Sequence, residues 1–481
     1  MLTATERLRR DALTIWQAGV EAVTPQRLFG DKVQVVGTRL CVEGVELELG
    51  SARRLIIVGA GKASAAMAVA LQQTVLARLP GSLQGLPVEG WINAPAGAIC
   101  ERERQALEPI HVHPARPAGS NLPTQAAVAG THRILQLVQS ADQRDVVICL
   151  LSGGGSALLV APRAGVTLED KQAIASEIAA AGGNIEQLTT VRRAVSQGKG
   201  GGLARACRAR HMLTLVLSDV LGDPLETIAS GPTWLAAEAS VQQAWQTLQQ
   251  LDLLQSASLA GVVRWLENQL QAQGDATGQA SAAGDRRACH VEHVILGNNA
   301  DAIDAAGVKA VELGYRYVMQ GARRVEGDVQ QVALTAVAAI EQLIGQSNID
   351  CWICGGEPTV TLPAGGGGRG GRNQQLALAV LRGLQRQGWP ATAAACRQVL
   401  FLSGGTDGED GPTDAAGAWF DAASSQRAAL LGLQPEDYLA RADAYHFFEQ
   451  AGGLLITGPT GTNVCDLRIA LAERPASDIP T

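Results

Sequence analysis

The stretch VVICLLSGGG, residues 146–155, decides the fold, because an apolar run without polar alternation ends in three consecutive glycines. The same pattern appears in LIIVGAG at 55–61 and in LTLVLSDVLGD at 213–223, with alanine- and leucine-rich segments of helical length between the runs. Strands of this kind, separated by helices, predict an α/β fold with a parallel sheet buried on both faces. In such sheets ligands bind beyond the carboxyl ends of the strands, where these glycine loops fall.

The elements outside this core predict a chain of more than one domain, as expected for 481 residues. Residues 4–29 have the apolar spacing of an amphipathic helix. The polar, pattern-free stretch 271–289 predicts a surface loop or linker. The boundary is therefore placed there, giving an N-terminal domain at 1–284 and a C-terminal domain at 285–481.

Composition and charge limit the partners and the location. A formal net charge of −7 argues against binding to nucleic acid or to an anionic membrane. The nine cysteines lie mostly in apolar runs, which is typical of a reducing compartment, and the pair Cys351 and Cys354 is interpreted as two thiols on a buried strand. With no signal-peptide core and no apolar run long enough to span a membrane, we expect a soluble, cytoplasmic protein.

Lysine is scarce in this chain, which makes its placement informative. Only five of the 39 basic residues are lysines, and two of them, Lys62 and Lys199, lie in glycine-rich loops. Lysine is a compact point charge, whereas arginine is a planar fork. The placement favours a role for both lysines beside an anion.

Two glycine loops are predicted to hold phosphate. In the first, Gly59 and Gly61 precede Lys62 at a turn from strand to helix, where exposed N–H groups attract anions. It matches neither a Walker A loop nor a full dinucleotide fingerprint, and a tight turn with a solvated lysine is the alternative. The second loop, for which a flexible turn is the alternative, comprises Ser152, Gly153, Gly154, Gly155 and Ser156.

A third glycine loop contains Lys199, Gly200 and Gly201 and follows Arg192 and Arg193. It gathers three cations and several amides that we expect to be available to phosphate, with Arg192 assigned to the substrate. Solvated surface charge is the alternative for Arg193.

Acidic residues at strand ends are the candidate metal ligands. Asp219 follows the strand LTLVL, and its carboxylate could hold Mg²⁺ or accept a hydroxyl proton. An aspartate that caps the next turn is the alternative for Asp219. Glu357 and Asp407 end later apolar runs, and a plain multiple-turn loop is the alternative for Asp410 and Asp414 in the loop that follows Asp407. Arg372 begins a helix, where it could neutralise charge on a transferred phosphoryl group, and Asn298 is added to the phosphate-binding set.

His111 and His113 alternate in IHVHP and so share a face of any strand, but no third ligand follows at a suitable spacing. A structural or substrate-mouth role is therefore favoured for this segment over a metal site.

Taken in order, these motifs resemble one family. VGAGKAS, LLSGGGSALL, VRR with KGGGLA, SDVLGDPLETIASGPT, GGEPTV, GGRNQQLALA and SGGTDGEDGPTDAAGA are similar to motifs of the class II glycerate kinases, the glycerate 2-kinase family with a MOFRL domain. The resemblance spans roughly residues 5–475. The turn HPARP at 113–117 departs from it, which puts a substrate role for that turn in doubt.

The resemblance implies an N-terminal Rossmann-like sheet flanked by helices, a smaller C-terminal MOFRL domain, and an active site in the cleft between them. It implies ATP- and Mg²⁺-dependent phosphorylation of D-glycerate on its C2 hydroxyl, giving 2-phosphoglycerate and ADP. Lys62 and Arg372 hold the places of the proposed catalytic cations of the family, and Asp219 is our candidate partner for the C2 hydroxyl. The oligomeric state, with a homodimer among the options, and the pathway served, glyoxylate metabolism among them, stay open.

Two other functions are weighed against this one. A dinucleotide-dependent hydroxypyruvate reductase needs an acid about twenty residues after the glycine turn. The first carboxylate after Lys62 is Glu89, which is too late and begins its strand. The second alternative is a non-catalytic regulator that binds a sugar phosphate. Such a protein would not need the carboxylates that are candidate metal ligands.

Overall fold

The computed structural model describes residues 3–118, 122–235, 240–275, 289–321, 326–346, 348–363, 366–390 and 397–474. Contacts divide the chain into two compact units. The N-terminal unit comprises Phe29–Leu217 and Pro224–Leu296. The C-terminal unit comprises Met1–Leu28, Ser218–Asp223 and Gly297–Thr481.

The strands are β1 (Val33–Val36), β2 (Arg39–Val42), β3 (Val45–Glu48), β4 (Leu55–Ala60), β5 (Val88–Pro95), β6 (Ile110–Arg116), β7 (Val146–Ser152), β8 (His211–Leu217), β9 (His290–Gly297), β10 (Tyr317–Gln320), β11 (Cys351–Gly356), β12 (Val399–Gly405), β13 (Gly417–Asp421), β14 (Leu454–Leu455) and β15 (Asp466–Ala472).

The helices are α1 (Ala4–Ala22), α2 (Pro25–Lys32), α3 (Ser64–Thr74), α4 (Glu101–Ala106), α5 (Gln125–Gln139), α6 (Gly155–Leu158), α7 (Leu168–Ala180), α8 (Ile185–Ala194), α9 (Gly202–Ala206), α10 (Val241–Gln250), α11 (Ala260–Asp275), α12 (Asn299–Glu312), α13 (Val329–Gly345), α14 (Arg372–Arg386), α15 (Ala422–Leu430), α16 (Pro435–Ala440) and α17 (Ala444–Ala451). Short 3₁₀ turns lie at Leu76–Arg78, Gly81–Leu83, Ile228–Ser230 and Ala257–Leu259.

The N-terminal unit is built on a six-stranded sheet with the order β6–β5–β4–β7–β8–β9. β4 pairs in parallel with β5 and β7, β5 with β6, and β7 with β8. Every residue of β4 and β7 is buried, and since side chains alternate along a strand, both faces of the sheet are covered there. The predicted α/β fold with a buried parallel sheet is confirmed. The loops after β4, β7 and β8 leave the sheet at one edge.

The C-terminal unit has a six-stranded mixed sheet with the order β10–β11–β15–β12–β13–β14. The last strand of the chain, β15, lies in its interior and is antiparallel to β11 and β12, whereas β10 and β11 are parallel. One apolar cluster joins the sheet to α1 and α12, and a second joins it to α13 and α14. This sheet is therefore also buried between helices.

The helix predicted over residues 4–29 is wrong at its C-terminal end. α1 ends at Ala22, and a separate helix, α2, begins at Pro25. The break falls before the proline, which has no N–H to donate and disfavours helical backbone in the residue before it.

Packing, and not chain order, decides which unit α1 joins. Ile15 and Trp16 of α1 lie in one cluster with Ile303 of α12 and Leu467 of β15. Contacts accordingly assign α1, and also residues 218–223, to the C-terminal unit, whereas the sequence boundary put both in the domain 1–284. Of the predicted linker at 271–289, residues 271–275 form the end of α11 and residues 276–288 lie outside the described residues.

Six of the eight described cysteines are buried, whereas Cys41 is half-buried and Cys100 is exposed. Cys351 and Cys354 lie on the buried strand β11, but the apolar clusters that contain them are on opposite faces of the sheet. Their thiols therefore cannot form a redox pair. None of the eight described cysteines forms a disulfide. A search of the described helices finds none with the length and apolar character required to cross a bilayer, and the cytoplasmic location stays a prediction.

Replacing Trp16 tests the docking of α1. Its side chain is 1% exposed and lies so close to Gly404 that a Cβ there would approach the indole Nε1 to 2.9 Å. We expect Trp16→Ala to lower the free energy of unfolding by about 3–5 kcal/mol, as for other buried aromatic truncations. Urea denaturation measures the change, and Trp234→Ala, at a position 38% exposed, is the control. Equal effects of the two substitutions would contradict the docking.

Candidate active site

The predicted site residues fall into two groups, one in each unit. The glycine-loop cluster of the N-terminal unit comprises Gly59, Gly61, Lys62, Ser152, Gly153, Gly154, Gly155, Ser156, Arg192, Lys199, Gly200 and Gly201. The arginine–carboxylate cluster of the C-terminal unit comprises Asp219, Asn298, Glu357, Arg372 and Asp407.

The loops after β4 and β7 are locked together by backbone contacts. Lys62 N donates to Gly153 O at 2.8 Å, and Ala63 N donates to Ser152 Oγ at 2.9 Å. Gly61 has φ +154°, and a Cβ there would lie 2.1 Å from Ser152 Oγ, so no other residue fits. The Ser152 side chain is fully buried in this contact, and its predicted place in a phosphate-binding loop stays a prediction. Gly59 likewise serves packing, since its Cβ would lie 2.4 Å from Leu150 O.

Two cationic side chains flank Gly154 at the start of α6. Gly154 has φ +73°, and a Cβ there would meet Lys62 Cγ at 3.2 Å and Arg116 Nη2 at 3.3 Å. Arg116 ends β6 and is 3% exposed. The sequence interpretation missed Arg116, although its place at a strand end in the departing HPARP turn was a usable signal. The edge of the sheet therefore carries two cations side by side.

Lys199 is buried among polar groups of the neighbouring loops. Its Nζ donates to Ser156 O at 2.8 Å and to Ser230 Oγ at 3.2 Å, and the Ser156 and Ser230 hydroxyls are 2.8 Å apart. Burial, followed by repulsion from Arg192, lowers the pKa of Lys199 well below its ordinary value. The predicted loop thus presents a strongly cationic environment with few compensating charges.

Two amides of this loop donate to backbone carbonyls of the protein. Gly200 N donates to Ser230 O at 2.9 Å and Gly201 N donates to Gly231 O at 2.6 Å. Both glycines have left-handed backbone, with φ +54° and +80°, which brings them against the loop at 230–231. Their role is to shape the turn that buries Lys199, and the cations carry any anion binding here.

Arg372 is held rigidly at the start of α14. Its Nε donates to Asp466 Oδ2 at 2.8 Å, its Nη2 to Asp466 Oδ1 at 2.9 Å and its Nη1 to Glu357 Oε1 at 2.7 Å. Burial alone would lower the pKa of Arg372, but Asp466 and then Glu357 raise it well above its ordinary value. Asp466 was missed in the sequence, where it stands at the start of the apolar run DLRIALA with no motif to mark it.

Asp410 anchors the same helix end. Its Oδ1 accepts from Asn373 N at 3.0 Å and its Oδ2 accepts from Gln374 N at 2.8 Å, which satisfies two orphan N–H groups of α14. Asp410 is 2% exposed, and burial raises its pKa to about 7. Its position in the loop therefore fixes where Arg372 begins the helix.

The remaining carboxylates give this cluster an excess of negative charge. Asp219 Oδ2 accepts from Asn463 Nδ2 at 3.1 Å, and Cys465 Sγ lies 2.8 Å from Asp219 O. Burial raises the pKa of Glu357, with Arg372 opposing the rise and Asp466 and Asp407 reinforcing it. Repulsion between carboxylates of this kind is relieved by a bound cation.

A divalent ion fits this charge distribution, although no ligand cage is prebuilt. The described residues contain no group of three His, Cys, Asp or Glu side chains arranged to hold a metal. Mg²⁺ usually binds through one or two carboxylates and completes its shell with water and phosphate oxygens. Glu357, Asp407 and Asp219 can supply such carboxylates.

Asn298 and the histidine segment have structural partners. The Asn298 side chain caps α12 by accepting from Ala300 N and Asp301 N, and its Nδ2 donates to Asp223 Oδ2 at 2.6 Å. The predicted phosphate contact from Asn298 stays a prediction. His111 and His113 share a face as predicted, since the rings of both lie against Trp91 at centroid distances of 4.3 and 5.3 Å.

Comparisons with known proteins extend over almost the whole chain. Residues 11–267 match the family described as a domain of unknown function, DUF4147, and residues 350–466 match the MOFRL family. A glycerate kinase from Homo sapiens is 35% identical over 519 residues, covering 97% of this chain and 94% of that protein. A D-glycerate 2-kinase from Thermotoga maritima is 31% identical over 474 residues, covering 97% and 99%.

A solved structure agrees with these matches. The crystal structure of glycerate kinase from Thermotoga maritima superposes with a TM-score of 0.73 at 30% identity, covering 97% of this chain and all of that chain. The fold and the matches define a two-unit α/β enzyme of the kinase class. The chain belongs to the glycerate kinase family.

The raised pKa of Asp410 predicts a pH-dependent stability. Between the ordinary value of 3.8 and about 7, the folded protein holds a proton that the unfolded chain has lost. The free energy of unfolding therefore falls as pH rises through this window, by up to roughly 4 kcal/mol. We expect Asp410→Asn to remove this slope, as measured by urea denaturation from pH 4 to pH 7.5.

Asp414→Asn is the matched control for this experiment. Asp414 is in the same loop but exposed, and hydrogen bonding to Tyr445 lowers its pKa, so its titration lies below the window. A wild-type slope retained in Asp410→Asn would show that Asp410 is ionised in the folded protein.

Proposed function

We propose that this protein transfers the γ-phosphoryl group of ATP to the C2 hydroxyl of D-glycerate, releasing 2-phosphoglycerate and ADP. The observation that carries the proposal is the match to a D-glycerate 2-kinase along 97% of the chain. The cationic glycine-loop cluster adds chemical support, because phosphoryl transfer depends on neutralising phosphate charge. In the reaction a bond forms between the C2 oxygen and Pγ, the bond from Pγ to the β-phosphate oxygen breaks with that oxygen staying on ADP, and the hydroxyl proton passes to water.

Lys62 is the proposed catalytic cation of the N-terminal unit. Its backbone N–H donates to Gly153 O, and its side chain lies beside Gly154 at the carboxyl ends of the strands. Ligands of open α/β sheets bind at this edge. An ammonium at this edge would stabilise charge on the transferred phosphoryl group.

Arg372 is the proposed catalytic cation of the C-terminal unit. Its bidentate pair with Asp466 sets the plane of the guanidinium, and its Nη1 donates to Glu357 Oε1 at 2.7 Å. A carboxylate substrate such as glycerate suits a guanidinium of this kind. Asp219 is proposed to accept the hydrogen bond of the C2 hydroxyl.

Mg²⁺ is proposed as the metal, held by Asp219 or by Glu357 and Asp407, where it would neutralise charge on the ATP phosphates. The raised pKa of Glu357 supports this proposal, because it reflects burial together with neighbouring carboxylates that a cation would relieve.

A dinucleotide-dependent reductase is disfavoured by the sheet. The strand next to β4, β5, ends in Asn93, Ala94 and Pro95, and its acid, Glu89, lies at the opposite end. A dinucleotide site of Rossmann type requires an acid at the carboxyl end of that strand to bind the ribose.

A coupled assay tests the proposed function. The protein is incubated with D-glycerate, ATP and Mg²⁺, and product is detected with enolase in the absence of phosphoglycerate mutase. Enolase acts on 2-phosphoglycerate, so an immediate signal is expected. ADP release without an enolase signal would mean that the 3-phosphate is formed, and NAD(P)H oxidation with hydroxypyruvate would favour the reductase.

Replacing the ammonium of Lys62 tests its assignment. We expect Lys62→Met to lower kcat by at least about 10²-fold, since removing one preorganised electrostatic donor typically costs this much. Lys32→Met is the control. Lys32 is the last residue of α2, its Nζ lies 3.5 Å from Glu43 Oε1, and its replacement should leave kcat unchanged. Near-normal turnover by a folded Lys62→Met variant would overturn the assignment.

A further inference from the structure

Lys171 is a buried lysine that the proposed mechanism does not use. It lies on α7, is 6% exposed, and its Nζ makes no hydrogen bond to any residue that the structure describes. A buried ammonium normally has three hydrogen-bond acceptors or an acidic partner, because desolvation of an isolated charge is costly. Its environment therefore calls for an explanation.

The neighbours of Lys171 are cations. Burial, followed by repulsion from Arg192 on α8, lowers the pKa of Lys171 to about 7. Lys199 is 2% exposed, and its pKa is lowered by burial and then by repulsion from Arg192, Lys171 and Arg193. Among the described residues, the charged groups that act on these two lysines are all positive. α7, which carries Lys171, packs against α8, which carries Arg192, through Ile174 and Val191, and Lys199 lies in the loop that follows α8.

Two acids lie near these cations, Asp170 in the sequence and Glu226 beside Arg193. Asp170, beside Lys171, accepts from Thr167 N in the capping box of α7. Glu226 acts on Arg193, and its backbone carbonyl accepts from that guanidinium. Neither carboxylate is among the groups that act on Lys171 or Lys199.

Charge balance favours a phosphate over a carboxylate as the missing partner. Lys171, Lys199 and Arg192 together carry up to three positive charges, and a phosphate near neutral pH carries close to two negative charges. Lys171 Nζ has all three donors available to it, while Lys199 Nζ already donates to Ser156 O and Ser230 Oγ. A tetrahedral oxyanion offers enough acceptors for the donors that remain.

We propose that Lys171, Lys199 and Arg192 form a buried binding site for a phosphate group, to which Lys171 donates directly. The identity of the ligand rests on the proposed function, in which this phosphate belongs to ATP or to 2-phosphoglycerate. The site itself does not depend on that function. Binding keeps both lysines protonated and relieves the repulsion among the three cations.

The test compares the full-length wild type with Lys171→Met, using inorganic phosphate as the first probe. Titration calorimetry gives Kd, and thermal unfolding gives the shift in Tm, with chloride added to keep ionic strength constant. We expect the variant to bind phosphate at least about tenfold more weakly, the loss typical of one charge-assisted hydrogen bond. Without phosphate its Tm should equal or exceed that of the wild type, because an uncompensated buried charge has been removed.

Control variants and further ligands make the result specific. Lys32→Met should bind phosphate as the wild type does, and Lys171→Gln provides the same comparison if the methionine variant is poorly soluble. ATP and 2-phosphoglycerate, titrated separately, distinguish the two sources of the phosphate. Equal phosphate affinity in the wild type and the Lys171 variants would overturn the proposal, as would weakened binding of D-glycerate with phosphate binding intact.

This test is independent of the enolase assay. Phosphate binding that depends on Lys171, without formation of 2-phosphoglycerate, would retain the site and reject the proposed function. Kinase activity together with phosphate binding that ignores Lys171 would retain the function and reject the site.

Discussion

The close contact between the loops after β4 and β7 is the constraint on which the N-terminal site depends. Ser152 Oγ accepts from Ala63 N, and only a glycine at position 61 allows the two backbones to approach this closely. Because of this contact β4 and β7 end side by side, and the side chain of Lys62 lies next to Gly154. It also sets the start of α6, whose Ser156 carbonyl accepts from Lys199. A disturbance at Ser152 would therefore displace two cations at once, although Ser152 itself need not contact a ligand.

The C-terminal unit reaches a similar rigidity by a different route. Arg372 is fixed by Asp466, which comes from the interior strand β15, and the backbone behind Arg372 is fixed by Asp410. The two acids differ in electrostatic role. Asp466 compensates a charge, whereas the buried Asp410 has a pKa raised to about 7 and serves mainly as a hydrogen-bond acceptor for the helix end. Both are buried, so solvent does not loosen either contact.

Much of the fold could be predicted because it depends on local patterns. The apolar runs that became β4 and β7 and the glycines that end them are visible in the sequence alone. A residue's contacts are harder to predict where they depend on distant neighbours. The Ser152 hydroxyl accepts from Ala63 N and the Asn298 amide donates to Asp223, and no local pattern reveals either contact. Lys171 was overlooked for the same reason, since its burial arises from packing of α7.

Glycine loops illustrate why the site was harder to predict than the fold. A glycine can be required because a ligand approaches the backbone or because another loop does, and the sequence is the same in both cases. At Gly61 and Gly201 the approaching group belongs to the protein, so these glycines shape the site without forming its surface. The groups left to meet a ligand are charged: an excess of cations in the N-terminal unit and an excess of carboxylates around Arg372. Each excess is unfavourable in isolation, and the proposed ligands, phosphate in the first case and a divalent cation in the second, would relieve it.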